Sequence, residues 1–365
     1  QKGHPEALSQ EIYRQIESFA GYSFCKAHSA SYAVESYQSL YLKVNYPVEF
    51  MTAVINNQGG FYRTEVYVHE ARMSGGTVHN PCVNKSEYQT TLYGTDIYLG
   101  FMHLQSLESK IANLIASERE KNGDYLSLEN FINRIPIGIE GVKVLIFIGA
   151  FRFTGKTKNQ LLISASLLLN NFKPENRNLM LLQEPVKEFK LPVLERSVFE
   201  DAFDEIELLS FPVSCTVFDL LQTKHRGDIM AKDLVKYHKR QVRMLAYLIS
   251  RKHVPTKKGT MYFGTWIDHE GTYFDTAHFP DSLAKHPFQG GGCYLLLGNV
   301  EVDYHFPTIT ILKMAKMPFI PDPRYMDSKD QYRTQNQIKE DVSLTHRAPY
   351  PQGHEINLPR HRMKF

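Results

Sequence analysis

The 365-residue chain has few cysteines and no long apolar segment. Its four cysteines, Cys25, Cys82, Cys215 and Cys293, are far apart and form no C-x-x-C pair, which argues against a zinc knuckle and favours reduced thiols. No apolar run approaches the length of a membrane span, and no basic-then-apolar signal opens the chain. The sequence therefore predicts a cytoplasmic protein with no membrane partner.

The chain also lacks a strong charge of either sign, because 42 Lys and Arg residues are balanced by 39 Asp and Glu. Any surface that binds nucleic acid must therefore be local. No spacing among the fifteen histidines is typical of a metal site. The run Thr154–Thr157 (TGKT) is similar to part of a P-loop, but Ala150 stands where that loop requires a glycine, so no NTPase site is predicted.

The most informative segment is Phe19–Ala33 (FAGYSFCKAHSASYA), which places rings, one lysine and one histidine before a helical pattern. Rings suit a base, while a cation and amide N–H groups near a helix start suit phosphates. Ser29 is a candidate helix cap. The alternative is a packed aromatic core with Lys26 in water. The candidate nucleotide-binding residues are Tyr22, Phe24, Lys26, His28, Ser29 and Tyr32.

This segment resembles the fingers motif of the bacterial DNA polymerase III alpha subunits, the family C DNA polymerases. In that family a Gly-Tyr-x-Phe-x-Lys-x-His core precedes a long helix, as Gly21 to His28 do here. The segments Ile12–Phe19 and Tyr46–Met51 also resemble the family, and a looser similarity extends to about Lys313. The resemblance implies a C-terminal fragment of such a polymerase, and leaves open a short or error-prone relative.

The residue patterns and the resemblance together predict an α+β multidomain fold. Helical fingers and a helix-hairpin-helix-like region are followed by a five-stranded OB-fold β-barrel, since five β-rich runs lie between residues 242 and 314. The predicted domains are distal fingers at 1–98, a helix-hairpin-helix-like helical domain at 99–173, a linker with an acidic helix at 174–237, an OB-fold domain at 238–320 and a mobile tail at 321–365.

Two family elements are altered in this sequence. The family's DNA-binding hairpin carries Gly-x-Gly, whereas this chain has Ser106-Leu107-Glu108, and Glu108 would repel a phosphate. The family's sliding-clamp peptide is matched in place only by an apolar segment without a terminal aromatic, for which a buried loop is the alternative. The candidate clamp-binding residues are Asn178, Leu179, Met180, Leu181 and Leu182.

The strongest local charge lies between His238 and Lys258, where seven Lys and Arg residues occur without an Asp or Glu. Aromatic residues interleave with them and follow them. Cations along phosphates beside rings that stack on bases are typical of single-strand binding, and a solvated basic face is the alternative. The candidate DNA-binding residues are Arg243, Arg251, Lys252, Lys257, Lys258, Tyr262, Phe263 and Trp266.

The chain contains no Asp-x-Asp, the arrangement with which the family's palm holds two magnesium ions. The acidic residues Asp201, Asp204, Glu205 and Glu207 lie on an amphipathic helix and predict a solvated face. We therefore predict no catalytic residue, no metal and no cofactor bound by this chain, with Mg²⁺ at a palm outside it, and no activity of the chain alone.

The resemblance implies a part of a DNA-directed DNA polymerase that positions dNTP, primer–template DNA, single-stranded template and a sliding clamp, in association with the nucleoid. Two alternatives involve no polymerase activity. One is a non-enzymatic OB-fold protein that binds single-stranded DNA and a protein partner. The other is a scaffold that binds only the clamp.

Overall fold

The computed structural model describes residues 5–22, 26–58, 60–170 and 199–325. The candidate clamp-binding peptide at 178–182, Phe24 and the predicted tail from residue 326 onward lie outside these residues. No helix in the described part of the chain is both long and apolar enough to cross a membrane. Within the same residues, no three His, Cys, Asp or Glu side chains gather as a metal site.

The first part of the chain is helical, as predicted. Its helices are α1 (Glu6–Tyr22), α2 (Lys26–Asn45), α3 (Pro47–Asn57) and α4 (Thr64–Met73). Pro47 occupies the first turn of α3, where its missing N–H costs no helical hydrogen bond.

A small three-stranded sheet follows the first helices. It consists of β1 (Thr77–His79), β2 (Thr91–Tyr93) and β3 (Asp96–Tyr98) in the order β1-β3-β2. The sequence predicts a β-hairpin here, because two β-rich runs, residues 90–93 and 97–99, flank a turn at Gly94. The hairpin is confirmed, since β2 and β3 pair antiparallel around Gly94, whose φ of 63° suits a glycine. The sequence after the glycine pair at 75–76 predicts an extended segment from residue 77 to 84, but a strand forms only in β1.

Four helices then form the main core of the first half: α5 (Ser109–Asn122), α6 (Leu128–Arg134), α7 (Ile139–Phe147) and α8 (Lys158–Asn170). Fully buried Ile115, Phe131 and Phe151 belong to one hydrophobic cluster with the sheet and α3. Ser127 caps α6, since its side chain accepts a hydrogen bond of 3.1 Å from the N–H of Asn130.

The acidic helix is α9 (Glu200–Leu209), and the prediction of a solvated acidic face on it is wrong for two residues. Asp204 and Glu205 are buried, and Asp204 forms a short ion pair with Lys158 of α8. Both oxygens of Glu205 are satisfied by Asn80, by the N–H groups of residues 213 and 214, and by a serine hydroxyl. These carboxylates can be buried because partners from distant segments of the chain neutralise or hydrogen-bond them.

The second half is a closed barrel of five strands in the order β4-β5-β6-β8-β7. Its elements are β4 (Gln241–Thr256), β5 (Gly259–Ile267), β6 (Tyr273–His278), α10 (Pro280–Lys285), β7 (Cys293–Asp303) and β8 (Phe306–Lys316). A five-stranded barrel with a helix between its third and fourth strands is an OB-fold. The predicted fold class and all five predicted strands are confirmed.

Candidate nucleic-acid interface

The predicted nucleotide-binding residues lie around the junction between α1 and α2. Tyr22 is the last residue of α1 and Lys26 is the first residue of α2. His28 and Tyr32 lie one helical turn apart, with ring centroids 4.4 Å apart in an edge-to-face contact. Ser29 lies inside the first turn of α2, so the prediction that it caps this helix is wrong. The binding role of these residues stays a prediction.

The apolar stripe of α2 is exposed in the described part of the chain. Tyr37 is 71% exposed and Val44 76%, and Leu40 between them is 63% exposed. The sequence predicts a helix here from apolar residues at helical spacing, and this helix is confirmed.

The basic run does not form a single patch, because most of it lies along one very long strand. β4 has 16 residues and is therefore roughly 50 Å long at about 3.3 Å per residue. Arg243 lies near its beginning and forms an ion pair of 3.0 Å with Asp228. Arg251 and Lys252 lie in its second half, and Lys257 and Lys258 form the turn into β5. The predicted cations are thus divided between two ends of the barrel.

A β-bulge in β4 determines which basic side chains lie beside which aromatic rings. The pairing of β4 with β5 shifts between Leu248 and Ser250, and this shift reverses the alternation of the side chains that follow. Arg251 then lies on the same side as Tyr262, and its guanidinium carbon is 5.7 Å from that ring and 5.1 Å from the ring of Phe288. Lys252 lies opposite Phe263 on the other side of the ribbon.

Trp266 is a core residue, and its prediction as a DNA contact is wrong. Its side chain is completely buried among the inner residues of the barrel. The indole N–H donates a hydrogen bond of 2.7 Å to Oγ1 of Thr276, and the ring stacks near Phe288. Alternation along β5 puts Trp266 on the inner face, which the sequence could not distinguish from the outer one.

The tip of the β4–β5 ribbon carries the remaining basic residues. Lys257 and Lys258 are exposed, and the turn is braced by a hydrogen bond of 2.6 Å from Oγ1 of Thr256 to the carbonyl of Gly259. No Asp or Glu occurs between residues 250 and 263. This ribbon tip is an exposed region of positive charge with half-exposed rings behind it.

Sequence reasoning missed a second ring-bearing turn, between β7 and β8. Tyr304 is 93% exposed and Phe306 65% exposed. Tyr304 and His305 have φ values of 49° and 66°, the left-handed region that residues other than glycine rarely adopt. The His238 ring lies beside this hairpin, since its Nδ1 accepts a hydrogen bond of 3.1 Å from the N–H of Val302. The sequence did contain a signal for this turn, because Tyr304 and His305 separate two β-rich runs.

The comparisons with known proteins fit this architecture. A family model described as a helix-hairpin-helix motif matches residues 75–161, which include the small sheet and helices α5 to α7. The DNA polymerase III subunit alpha of Borreliella burgdorferi is 28% identical over 322 residues, which cover 82% of this chain and 28% of that protein. The corresponding subunit of Thermus aquaticus is 34% identical over 137 residues, which cover 37% of this chain and 11% of that protein.

A third relative, the error-prone DNA polymerase of Mycobacterium bovis, is 31% identical over 166 residues, which cover 45% of this chain and 15% of that protein. The chain is thus similar to part of the DNA polymerase III alpha subunits over most of its length. It spans less than a third of the length of each of these three proteins.

A solved structure, the second OB-fold domain of replication protein A from Methanococcus maripaludis, is 16% identical. The match covers 23% of this chain and 86% of that domain, with a TM-score of 0.17. The OB-fold assignment rests on the strand order of the barrel.

The altered hairpin precedes α5. Leu107 is buried, whereas Ser106 and Glu108 are exposed. Glu108 adopts φ −63° and ψ 133° and does not cap the helix with its side chain. A residue with a side chain therefore fits here without backbone strain. Glu108 immediately precedes the first turn of α5, so its negative charge disfavours a phosphate at this helix start.

The barrel is joined to the helical half through α4. The Tyr247 hydroxyl donates to Oε2 of Glu65 at 3.1 Å and accepts from Arg63 at 2.9 Å. Burial raises the pKa of Glu65, while the charge of Arg63 lowers it, and burial together with the Glu65 charge raises the pKa of Tyr247 strongly. His69 adds a hydrogen bond of 2.9 Å to the carbonyl of Gly271. This joint leaves the basic ribbon tip of β4 and β5 on the exposed side.

Proposed function

We propose that this chain is the substrate-handling, C-terminal part of a DNA-directed DNA polymerase of the polymerase III alpha type. The observation that carries the proposal is the OB-fold barrel, docked on α4 by Tyr247, with its basic ribbon tip exposed. Cations beside rings hold a single strand by phosphate contacts and base stacking. We propose that Arg251, Lys252, Lys257 and Lys258 contact the phosphates of a single-stranded template, with Arg251 and Lys252 reaching it from the two sides of the ribbon.

The proposal assigns roles to two further segments. The start of α2, with Lys26 and His28, would hold the incoming dNTP, and the segment 178–182 would bind a sliding clamp. The apolar stripe of α2 is exposed, which supports the proposal that another protein surface packs against this helix. Polymerisation would use Mg²⁺ at carboxylates outside this chain, which would act in the cytoplasm at the nucleoid and would be inactive alone.

The ring-bearing turn of β7 and β8 extends the proposed DNA surface. Loops at this place in an OB-fold flank the strands that bind oligonucleotides. Tyr304 and Phe306 are exposed there, and Lys239 and Arg240 pair with β7 through backbone hydrogen bonds to Val300. We propose that the turn stacks on bases while these cations face the phosphates.

The test is fluorescence anisotropy of a labelled single-stranded oligonucleotide, titrated with the 365-residue chain over a range of salt concentrations. Replacing Lys257 and Lys258 by alanine removes two proposed phosphate contacts. The slope of log affinity against log salt should decrease by about 1.4, since each single-strand contact contributes about 0.7.

The matched control replaces two other exposed lysines, Lys232 and Lys236, which pair with Glu270 and Asp233. This control should leave the slope unchanged. Equal slopes for the Lys257 and Lys258 variant and the wild type would contradict the proposed ribbon-tip interface. Absence of salt-dependent binding by the wild type would contradict DNA binding altogether.

A further inference from the structure

A second ring-bearing surface lies on the small sheet, far along the chain from the barrel. The pairing of β1, β3 and β2 puts His79 directly opposite Tyr98, and Tyr98 directly opposite Thr91. Side chains alternate along each strand, so Ile97 faces the core while these three residues and Tyr93 share the outer face. His79, Thr91, Tyr93 and Tyr98 are together termed the aromatic sheet face.

The rings of this face are held in place by contacts within the protein. The imidazole of His79 stacks on Tyr98 with centroids 4.6 Å apart and planes 19° apart. Nε2 of His79 is 2.8 Å from Oδ1 of Asp96, which fixes the imidazole from its edge. The Tyr93 hydroxyl donates a hydrogen bond of 3.1 Å to the carbonyl of Lys85. Ring surfaces that are already ordered lose little conformational entropy when a ligand stacks on them.

The exposure and charge of the aromatic sheet face suit a base with its phosphate. Tyr93 is 47% exposed, and Tyr98 is half-buried beside it at a centroid distance of 6.0 Å. Lys85 is exposed at the edge, with Nζ 5.6 Å from the Tyr93 ring centroid. A planar, uncharged group with an adjacent anion matches these rings and this cation.

The position of the face indicates where such a ligand would come from. β3 leads directly into the helix-hairpin-helix turn, and Tyr98 precedes Ser106 by eight residues in the sequence. The intervening Leu99 and Phe101 are buried in the same core as Ile115 of α5. The aromatic sheet face and the hairpin therefore belong to one packed unit. The rings thus belong to the part of the chain that the helix-hairpin-helix model matches, and DNA bound beside this unit could present an unpaired base to them.

Resting on the function proposed above, we propose that the aromatic sheet face stacks an unpaired base of a DNA strand that leaves the duplex. In this arrangement Tyr93 and Tyr98 contact the base and Lys85 contacts the neighbouring phosphate. The site is separate from the barrel, and it gives the helical half its own contact with single-stranded DNA.

The experiment compares two DNA ligands, a blunt duplex and the same duplex with a short 5′ template overhang. Replacing Tyr93 and Tyr98 by alanine should weaken binding of the overhang ligand about tenfold, since stacking on one ring typically accounts for such a factor. Binding of the blunt duplex should not change. Replacing both tyrosines by phenylalanine retains the rings and should leave overhang binding near the wild-type value.

A second measurement locates the contact directly. With 5-iododeoxyuridine in the overhang, irradiation should crosslink the base to Tyr93 or Tyr98, and mass spectrometry of the peptides identifies the residue. Circular dichroism melting of each variant verifies that the alanine protein is folded.

The outcomes separate this inference from the proposed function. Unchanged overhang binding in the alanine variant, with crosslinks confined to the barrel, would overturn the proposed role of the aromatic sheet face. DNA binding by the barrel would remain in place. Wild-type protein that binds neither single strand nor overhang would overturn both. Loss of overhang binding in the alanine variant, together with a crosslink to either tyrosine, would establish the site.

Discussion

Nη1 of Arg324 lies 2.9 Å from Oδ1 of Asp204, so the segment that follows the barrel is ion-paired to the helix that precedes it. The same guanidinium binds Glu207 at 2.7 Å and Asp322 at 2.7 Å. Burial acts to lower the pKa of Arg324, but its hydrogen bonds to Asp322 and Glu207 raise it on balance. Burial raises the pKa of Asp204, while Lys158 and Arg324 counteract that shift.

We expect Arg324→Ala to lower the free energy of unfolding by about 2–4 kcal/mol, because it leaves a buried carboxylate with one cationic partner fewer. Urea unfolding followed by circular dichroism measures the change. As a control, Lys236→Ala removes an exposed pair with Asp233 and should leave the midpoint in place. Identical midpoints for Arg324→Ala and wild type would show that the contact does not hold the two segments together.

Trp266 is the single tryptophan of the chain and reports directly on its own burial. We expect the blue-shifted emission of an indole in an apolar core and weak quenching by acrylamide. Saturating single-stranded DNA should leave the emission unchanged, because no base can reach the ring. Strong quenching by either agent would instead place the indole at the surface of the barrel.

Two histidines, the fully buried His278 and the half-buried His103, give the fold a predictable dependence on pH. Burial lowers the pKa of both His103 and His278 to about 4. The unfolded chain, with a histidine pKa of about 6.5, binds more protons between these values, so the free energy of unfolding decreases as the pH falls from about 6.5 to 4. Above pH 6.5 the contribution is fully present, and it amounts to at most about 3 kcal/mol per histidine.

Denaturant unfolding from pH 7.5 to 4.5 measures this dependence. His278→Asn removes one titrating group while keeping a polar side chain near Oγ1 of Thr276, which now lies 2.8 Å from Nε2. The slope between pH 6.5 and 4.5 should be smaller in this variant than in wild type. An unchanged slope would mean that the buried imidazole is protonated in the folded state as readily as in the unfolded state.

The β7–β8 turn combines backbone strain with exposed rings, and one double variant separates the two. Tyr304→Asn with His305→Gly installs the pair that left-handed two-residue turns favour. We expect the free energy of unfolding to increase by about 1 kcal/mol, since the φ strain is relieved.

Affinity for single-stranded DNA should decrease in the same variant, about fivefold or more if Tyr304 stacks on a base. Tyr304→Phe with unchanged His305 is the matched control, because it retains both ring and strain. A more stable protein with undiminished affinity would show that the turn is only strained and takes no part in DNA binding.

The sequence alone was sufficient for the elements whose signal is local. The β2–β3 hairpin and the five barrel strands follow from period-two patterns and turn residues, and the structure has them where they were predicted. The burial of Asp204 was beyond reach, because its partners Lys158 and Arg324 come from positions 46 residues before and 120 residues after it. An amphipathic pattern assigns one face of a helix to solvent and contains no information on distant partners.

The candidate site shows the same division between local and distant information. The exposed lysines of the ribbon tip were identified from composition, since a charged turn between two strands remains at the surface. The inward direction of Trp266 depends on which face of β5 lines the interior of the barrel. Alternation within one strand does not specify that face.

The extra residue in β4 has a consequence for how this barrel tolerates length changes. The shift between Leu248 and Ser250 sets the side on which every later side chain of the strand emerges. Deleting a single residue there would exchange Arg251 and Lys252 between the two sides of the ribbon, although no cation would be lost. Two proteins of identical charge, which differ in length by one residue, would then present different cations to the same rings. The arrangement of charge on this ribbon therefore depends on the number of residues in β4 as well as on their identity.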